Sequence, residues 1–270
     1  MEFQYLFNKL WQNYSEQNPS ANKIFELFKN EGEIIVNDHI AFRTFNDNRL
    51  NIEVLAKVFE TVGYKAKDEY YFENKNLRAV HYENDNINNA PKIFISELIL
   101  EKCSKHLQTT IKNAIETTPD NELEGEELLF KGNLWGNPSF KIYEDLRNES
   151  EYAAWLYVYG FRTNHFTVSI NSLKKYNTIE KVNNFLKNNG FILNSFGGEI
   201  KGTPEMLLQQ SSIMADIISV EFTEGKFEIP ACYYEFALRF KDKNGILYSG
   251  FHAQSADKIF ESTNFYKKKV

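Results

Sequence analysis

Cysteine is almost missing. The 270 residues hold two, Cys103 and Cys232, far apart and outside any Cys-x-x-Cys pattern. That excludes a disulfide framework and a thiolate zinc site. Long apolar runs are missing too: none approaches the roughly 18 residues that a membrane span needs. The amino-terminal MEFQYLFNKLWQNY lacks the basic start and continuous apolar stretch of a signal peptide. Its Phe3, Leu6, Phe7, Leu10 and Trp11 recur at helical spacing and predict an amphipathic helix. A cytoplasmic protein without a membrane partner is the expectation. Positive charge is not in excess, with 31 Lys and Arg against 37 Asp and Glu and a net charge of −6. With no basic patch, nucleic acid is not an expected partner. What is present is apolar and aromatic content, 42% and 15%, in a chain long enough to bury a large core, which argues against disorder.

The stretch VNDHIAFRTF, residues 36–45, reads as a strand. Period-2 alternation places Val36, Asp38, Ile40, Phe42 and Thr44 on one face and Asn37, His39, Ala41, Arg43 and Phe45 on the other. The second face therefore carries an imidazole and a guanidinium four residues apart. A solvent-facing sheet surface would account for them, and so would a metal-and-anion site. RTNHFTVSI repeats the pattern, with Phe166, Val168 and Ile170 opposite Thr163, His165, Thr167 and Ser169. ACYYEFALRF, residues 231–240, repeats it again, with a strongly apolar face opposite Tyr233, Glu235, Ala237 and Arg239.

A weak internal duplication organises these strands. Asp38-His39-Ile40 matches Asn164-His165-Phe166. Ile52-Glu53 matches Ile179-Glu180 at a helix start, and Gly63-Tyr64 matches Gly190-Phe191 at its end, where glycine suits a left-handed cap. Strands are expected near 67–74, 77–84 and 91–100, so the first module is β-α-β-β-β. The second copy continues through FGGEIKGTPEMLLQQSS, read as a glycine-rich insertion, to strands near 213–223 and 231–240. The expected organisation is a single domain over 1–270: a first module over about 33–100, a helical insertion over 101–160, a second module over 161–240, and a carboxy-terminal strand and helix over 241–270. The expected fold class is α+β, with duplicated βαβββ modules forming a curled mixed sheet around a metal cavity, plus extra amino-terminal and inter-module helices.

His39, His165 and Glu235 would line that cavity. Two imidazoles and a carboxylate leave open positions on a metal, the arrangement of non-haem Fe(II) oxygenases, although zinc, manganese, nickel or cobalt suit the same donors. Glu97 is a further candidate ligand. His81 could face cavity or solvent, His106 falls on a helix near 101–117 and is expected in solvent, and His252 lies near a candidate substrate loop. Arg239 has the same offset from Glu235 as Arg43 from His39 and is expected to be structural. Ser255 is expected to cap a short helix formed by ADKIFES. Nothing in the pattern fixes an oligomeric state.

NDHIAFRTF, NHFTVSIN, GGEIKGTPEMLLQQSS, YYEFALRF and SADKIFEST resemble the 2-oxoadipate dioxygenase/decarboxylase family. The duplicated module resembles the wider vicinal oxygen chelate superfamily of glyoxalases and extradiol dioxygenases. The resemblance implies a cytoplasmic Fe(II) enzyme of lysine catabolism that converts 2-oxoadipate and O2 into 2-hydroxyglutarate and CO2. It implies His39, His165 and Glu235 as metal ligands and Arg43 as the catalytic arginine that binds a substrate carboxylate. It also implies a substrate contact at the Gln254 backbone; Ser255 is expected beside it because a helix start offers free backbone N–H groups to a second carboxylate, and His39 is expected to border the substrate. Gln254 stands where the family has a small apolar residue, which bears on the length of the 2-oxo acid. The competing readings are a glyoxalase-type divalent-metal isomerase or lyase, with Glu97 as a fourth ligand, and a metal-free binding module of the same fold.

Overall fold

The computed structural model describes residues 2–119 and 125–263. Two helices lead, α1 (Phe3–Glu16) and α2 (Pro19–Asn30). The first module follows as β1 (Asn37–Phe45), α3 (Ile52–Glu60), β2 (Lys65–Phe72), β3 (Leu77–Glu83) and β4 (Lys92–Leu98). Helices α4 (Lys105–Glu116), α5 (Phe140–Glu149) and α6 (Glu151–Tyr159) intervene. The second module holds β5 (Thr163–Ser169), α7 (Ile179–Asn188), β6 (Lys201–Thr203), β7 (Leu208–Ser212), β8 (Ile217–Phe222), β9 (Gly225–Pro230) and β10 (Glu235–Arg239). The short helix α8 (Ala253–Ile259) and a 3-10 turn over 260–263 close the described chain. Among the described residues no helix is long and apolar enough to cross a membrane.

Eight strands form one strongly curled sheet in the order β2-β3-β4-β1-β5-β10-β7-β6. β1 and β5 meet antiparallel at its centre. Outward from that seam both halves repeat the same relations: a parallel pair (β1 with β4, β5 with β10), then two antiparallel pairs. The α+β class and the duplicated, curled sheet are thus as the sequence predicts.

The repeat is also visible in how its helices start and stop. The Asn51 side chain accepts a hydrogen bond from the Val54 N–H at the start of α3, and the Thr178 hydroxyl accepts one from Lys181 at the start of α7. Beyond each helix the backbone turns left-handed at Gly63 (φ +97°) and Gly190 (φ +83°). The next N–H then reaches back to a helix carbonyl, Tyr64 to Phe59 and Phe191 to Leu186. Helix α3 packs on β4, α7 on β7 and β10, and α1 on β5. Helix α6 is buried on every side and packs on β1. Helix α8 touches both edge strands of the curled sheet, β2 and β6, and so spans its open mouth.

Three expected elements differ. The stretch read as a glycine-rich insertion supplies β6 and β7 of the main sheet, whereas the strand expected near 213–223 becomes β8, which pairs only with β9 in a separate hairpin. The reason is polarity. Gln210, Ser211 and Ser212 in β7 are buried yet bonded to Glu235, Asn183 and Ser262, so no apolar face announces the strand. After β10 there is no further strand among the described residues, only a single bridge between Lys241 and Leu247. Residues 264–270 of the expected tail, and 120–124 of the expected helical insertion, lie outside the described residues.

Candidate active site

Register decides what the inner face of the sheet presents. Thr167 on β5 stands opposite His39 on β1 and, on its other side, opposite Glu235 on β10. His39, Thr167 and Glu235 thus form one row across three strands. His165, two residues from Thr167, projects from the same face of β5. A small side chain in the middle of the row leaves space between the larger ones. His39 Nε2 lies 3.5 Å from Glu235 Oε1 and His165 Nε2 lies 3.1 Å from Glu235 Oε2. One donor atom from each of the three residues falls within 4.8 Å of the other two, and all three side chains are buried.

Two bulges orient the rings. The β1–β5 pairing slips by one residue between Asn37 and His39 and again between Ala41 and Phe42. The slips leave Asp38 and Asn164 without opposite numbers, which locally ends strict alternation. Asp38 Oδ1 lies 2.7 Å from His39 Nδ1, and Asn164 Oδ1 lies 3.2 Å from His165 Nδ1. Each Nδ1 is thereby engaged, and each Nε2 faces the glutamate. Arg239 in turn holds Asp38 with two parallel bonds, Nε to Oδ2 at 2.7 Å and Nη2 to Oδ1 at 2.9 Å. The Gln210 amide donates to Glu235 Oε1 at 2.5 Å.

Electrostatics put these groups in a metal-binding form. Burial pushes the His165 imidazole below its ordinary value and keeps it neutral, against the pull of Glu235. Burial alone would raise Glu235, but His39, His165 and the Gln210 amide hold its carboxyl below the usual value, and so ionised. Two imidazoles whose Nε2 atoms face one ionised carboxylate suit a divalent transition metal, and His39 Nε2 also lies 3.1 Å from the Thr167 hydroxyl. The oriented Nδ1 atoms are the outer partners such a site needs.

Arg43 lies further along β1 and is buried. Its guanidinium stacks over Tyr152 (4.9 Å), Trp155 (5.1 Å) and Phe260 (5.6 Å). Nη1 reaches Glu151 Oε1 at 3.5 Å, while Nε and Nη2 have no hydrogen-bond partner. A cavity of about 20 Å³ is lined by His39, Phe94, His165, Gln210 and Glu235, and roofed by Phe251, Ala256, Ile259 and Phe260.

The structure therefore brings His39, His165 and Glu235 together and places Arg43 nearby. It does not bring Gln254 or Ser255 into the cavity lining: Gln254 is exposed on the outer side of α8 and Ser255 is buried beside β6. Ser255 is not the cap. Helix α8 begins two residues earlier with His252 in that position, and the Ser255 N–H bonds to the His252 carbonyl. Glu97 is elsewhere, accepting from Arg78 and from the Ile52 N–H at the start of α3. His81 is buried between Tyr70 and Glu83, His252 bonds to the Met206 carbonyl, and His106 is exposed. The sequence reading gave no role to Asp38, Asn164, Gln210 or the roof phenylalanines. The Asx-His pair, present in both copies, was the signal for the first two.

The comparisons with known proteins agree on one relationship. Residues 6–244 match the family model described as 2-oxoadipate dioxygenase/decarboxylase. The chain belongs to the 2-oxoadipate dioxygenase/decarboxylase family. It is thus an enzyme of that family. It is 37% identical to the 2-oxoadipate dioxygenase/decarboxylase, chloroplastic/amyloplastic, of Oryza sativa subsp. japonica, over 97% of this chain and 79% of that protein. The crystal structure of the hydroxyglutarate synthase from Oryza sativa in complex with 2-oxoadipate superimposes with a TM-score of 0.91, at 35% identity, covering 97% of this chain and 92% of that one. A glyoxalase superfamily protein from Ralstonia eutropha, 17% identical, shares the fold with a TM-score of 0.77 over 91% of this chain and 84% of its own. The buried triad of this 2-oxoadipate dioxygenase/decarboxylase family member is its candidate site for a divalent metal.

Proposed function

We propose that the protein is an Fe(II)-dependent dioxygenase and decarboxylase of 2-oxo dicarboxylic acids, with 2-oxoadipate as substrate. The reaction balances as 2-oxoadipate plus O2 giving 2-hydroxyglutarate plus CO2. The observation that carries this reading is the pairing of a buried His-His-Glu group with a buried guanidinium whose Nε and Nη2 lack partners. His39, His165 and Glu235 would hold the ion. When bound, Fe(II) would supply open positions for a 2-oxo acid and O2 and would relay to O2 the electrons that the 2-oxo acid gives up. The remaining work belongs to the chain. Arg43 offers a rigid planar fork to a substrate carboxylate. Asp38 and Asn164 fix the imidazoles. Phe94, Phe251, Ile259 and Phe260 keep water from the reacting centre. Gln254 and Ser255 would meet the substrate only after a shift of α8.

The test is turnover of a panel of 2-oxo diacids by the Fe(II)-loaded protein in air and under anaerobic conditions. O2-dependent release of CO2 with one equivalent of a hydroxy acid one carbon shorter is expected. Turnover that proceeds equally without O2 would overturn the assignment.

A further inference from the structure

Tyr233 precedes β10 by two residues and is fully buried. Its ring stacks on the ring of His165, with centroids 4.7 Å apart and planes 28° from parallel. Tyr14 donates from its hydroxyl to the Tyr233 carbonyl, which anchors the backbone at this point. The Tyr233 hydroxyl itself has no hydrogen-bond partner. Arg43 lies over the ring of Trp155, whose Nε1 donates to the carbonyl of Ala231, two residues before Tyr233.

Three buried donors therefore lie in one neighbourhood without acceptors: Tyr233 Oη, Arg43 Nε and Arg43 Nη2. Each such group bears its desolvation cost without a compensating hydrogen bond when left unmet. Native interiors keep few of them, and a cluster calls for an explanation. A carboxylate has about four lone-pair sites and accepts from several donors at once. Tyr234 provides an internal contrast. Its hydroxyl is also buried and unpartnered, but its ring packs against Trp11, Tyr14 and Phe236, away from Arg43.

We propose that Tyr233 is a substrate-binding residue, whose hydroxyl donates to the same carboxylate that Arg43 holds. The stacked contact ties that carboxylate to the orientation of the His165 ring. The inference rests on the reading of the site as one that takes a 2-oxo diacid.

The experiment compares wild type, Tyr233→Phe and Tyr234→Phe, each loaded with Fe(II) and kept anaerobic. 2-Oxoadipate is titrated by calorimetry, thermal unfolding is followed with and without it, and KM and kcat are then measured in air. Phenylalanine preserves the stack on His165. Tyr233→Phe should bind Fe(II) as wild type does and unfold at the same or a higher temperature without ligand. Its affinity for 2-oxoadipate should fall by about tenfold or more, as expected on losing a hydrogen bond to a charged group. In air KM should rise more than kcat falls, and Tyr234→Phe should match wild type throughout. Binding of 2-oxoadipate by Tyr233→Phe within twofold of wild type would overturn the inference while leaving the proposed function standing. So would a lower unfolding temperature of the ligand-free variant, which would show that the hydroxyl already has a partner. A wild-type protein that binds no 2-oxo diacid would overturn both.

Discussion

Asp38 serves two partners at once. One oxygen faces His39 Nδ1, and both are held by Arg239, so a glutamate-facing imidazole is braced by a buried ion pair. Asn164 gives His165 the same contact without the charge. Asp38→Asn keeps the volume but weakens the brace, and metal affinity should fall by about 10- to 100-fold in a competition titration. It also leaves Arg239 without its counter-ion, at a cost of about 3–5 kcal/mol in chemical unfolding. The pH dependence follows in sign. Arg239 and His39 hold the Asp38 carboxyl well below its usual value despite burial. Its contribution to stability is therefore complete above the ordinary aspartate pKa of about 3.9 and is lost as pH falls below it. Metal-free wild type should lose stability more steeply than Asp38→Asn in that acid window, and parallel profiles would count against the brace. At Arg43, replacement by Lys keeps the charge and loses the planar fork. Metal content should hold, while kcat/KM for 2-oxoadipate should drop by about tenfold or more. Unchanged kinetics would remove Arg43 from substrate binding.

Among elements, the roof is the one that has to move. Helix α8 and the turn after it close a cavity of about 20 Å³, room for one ion or water and not for a six-carbon diacid. The roof is held by Phe251 against His39 and Phe94, by Lys75 Nζ at 2.7 Å from Glu261, by Asn194 and Ser212 on the Ser262 hydroxyl, and by His252 on the Met206 carbonyl. These are side-chain ties without a strand ladder, unlike the paired strands under them, and a segment so held should open locally. Hydrogen exchange over 253–263 should be faster than over β1 and β5, and it should slow when 2-oxoadipate binds the metal-loaded protein. Exchange that stays fixed while the diacid binds would mean that substrate enters by another route. The elements beneath the roof were unequally legible. Helices α3 and α7 declare themselves through Ile52-Glu53, Ile179-Glu180, Gly63 and Gly190, because start and stop signals act over three or four residues. β7 does not, since its buried Gln and Ser side chains read as loop until their partners are known.

In the whole molecule, the metal group spans the two halves. His39 comes from the first module, and His165 and Glu235 come from the second, joined across the central β1–β5 seam. A bound ion would therefore cross-link the halves at their junction. At free metal near 100 times Kd, binding stabilises by about 2.7 kcal/mol, or roughly 5 °C in a protein of this size. Chelator-treated protein should regain that increment on addition of Fe(II) or Mn(II), and His165→Ala should not respond. An equal shift in the variant would place the ion elsewhere.

The sequence by itself determined which side chains share a face, that an Asx-His pair recurs at the head of each module, and where the repeated helices begin and end. Alternation, capping and left-handed glycine all act between residues close along the chain, so they can be read from it. Only the tertiary structure decided that His39 and Glu235 flank Thr167 in one row, that Nε2 of both imidazoles faces the glutamate, and that Arg239 grips Asp38 across 201 residues of sequence. It also set Gln254 outside the cavity and Phe260 over it. Those outcomes depend on strand register, two single-residue bulges and the docking of a distant helix. Each is fixed by contacts between segments far apart in the chain, and no local pattern carries that information.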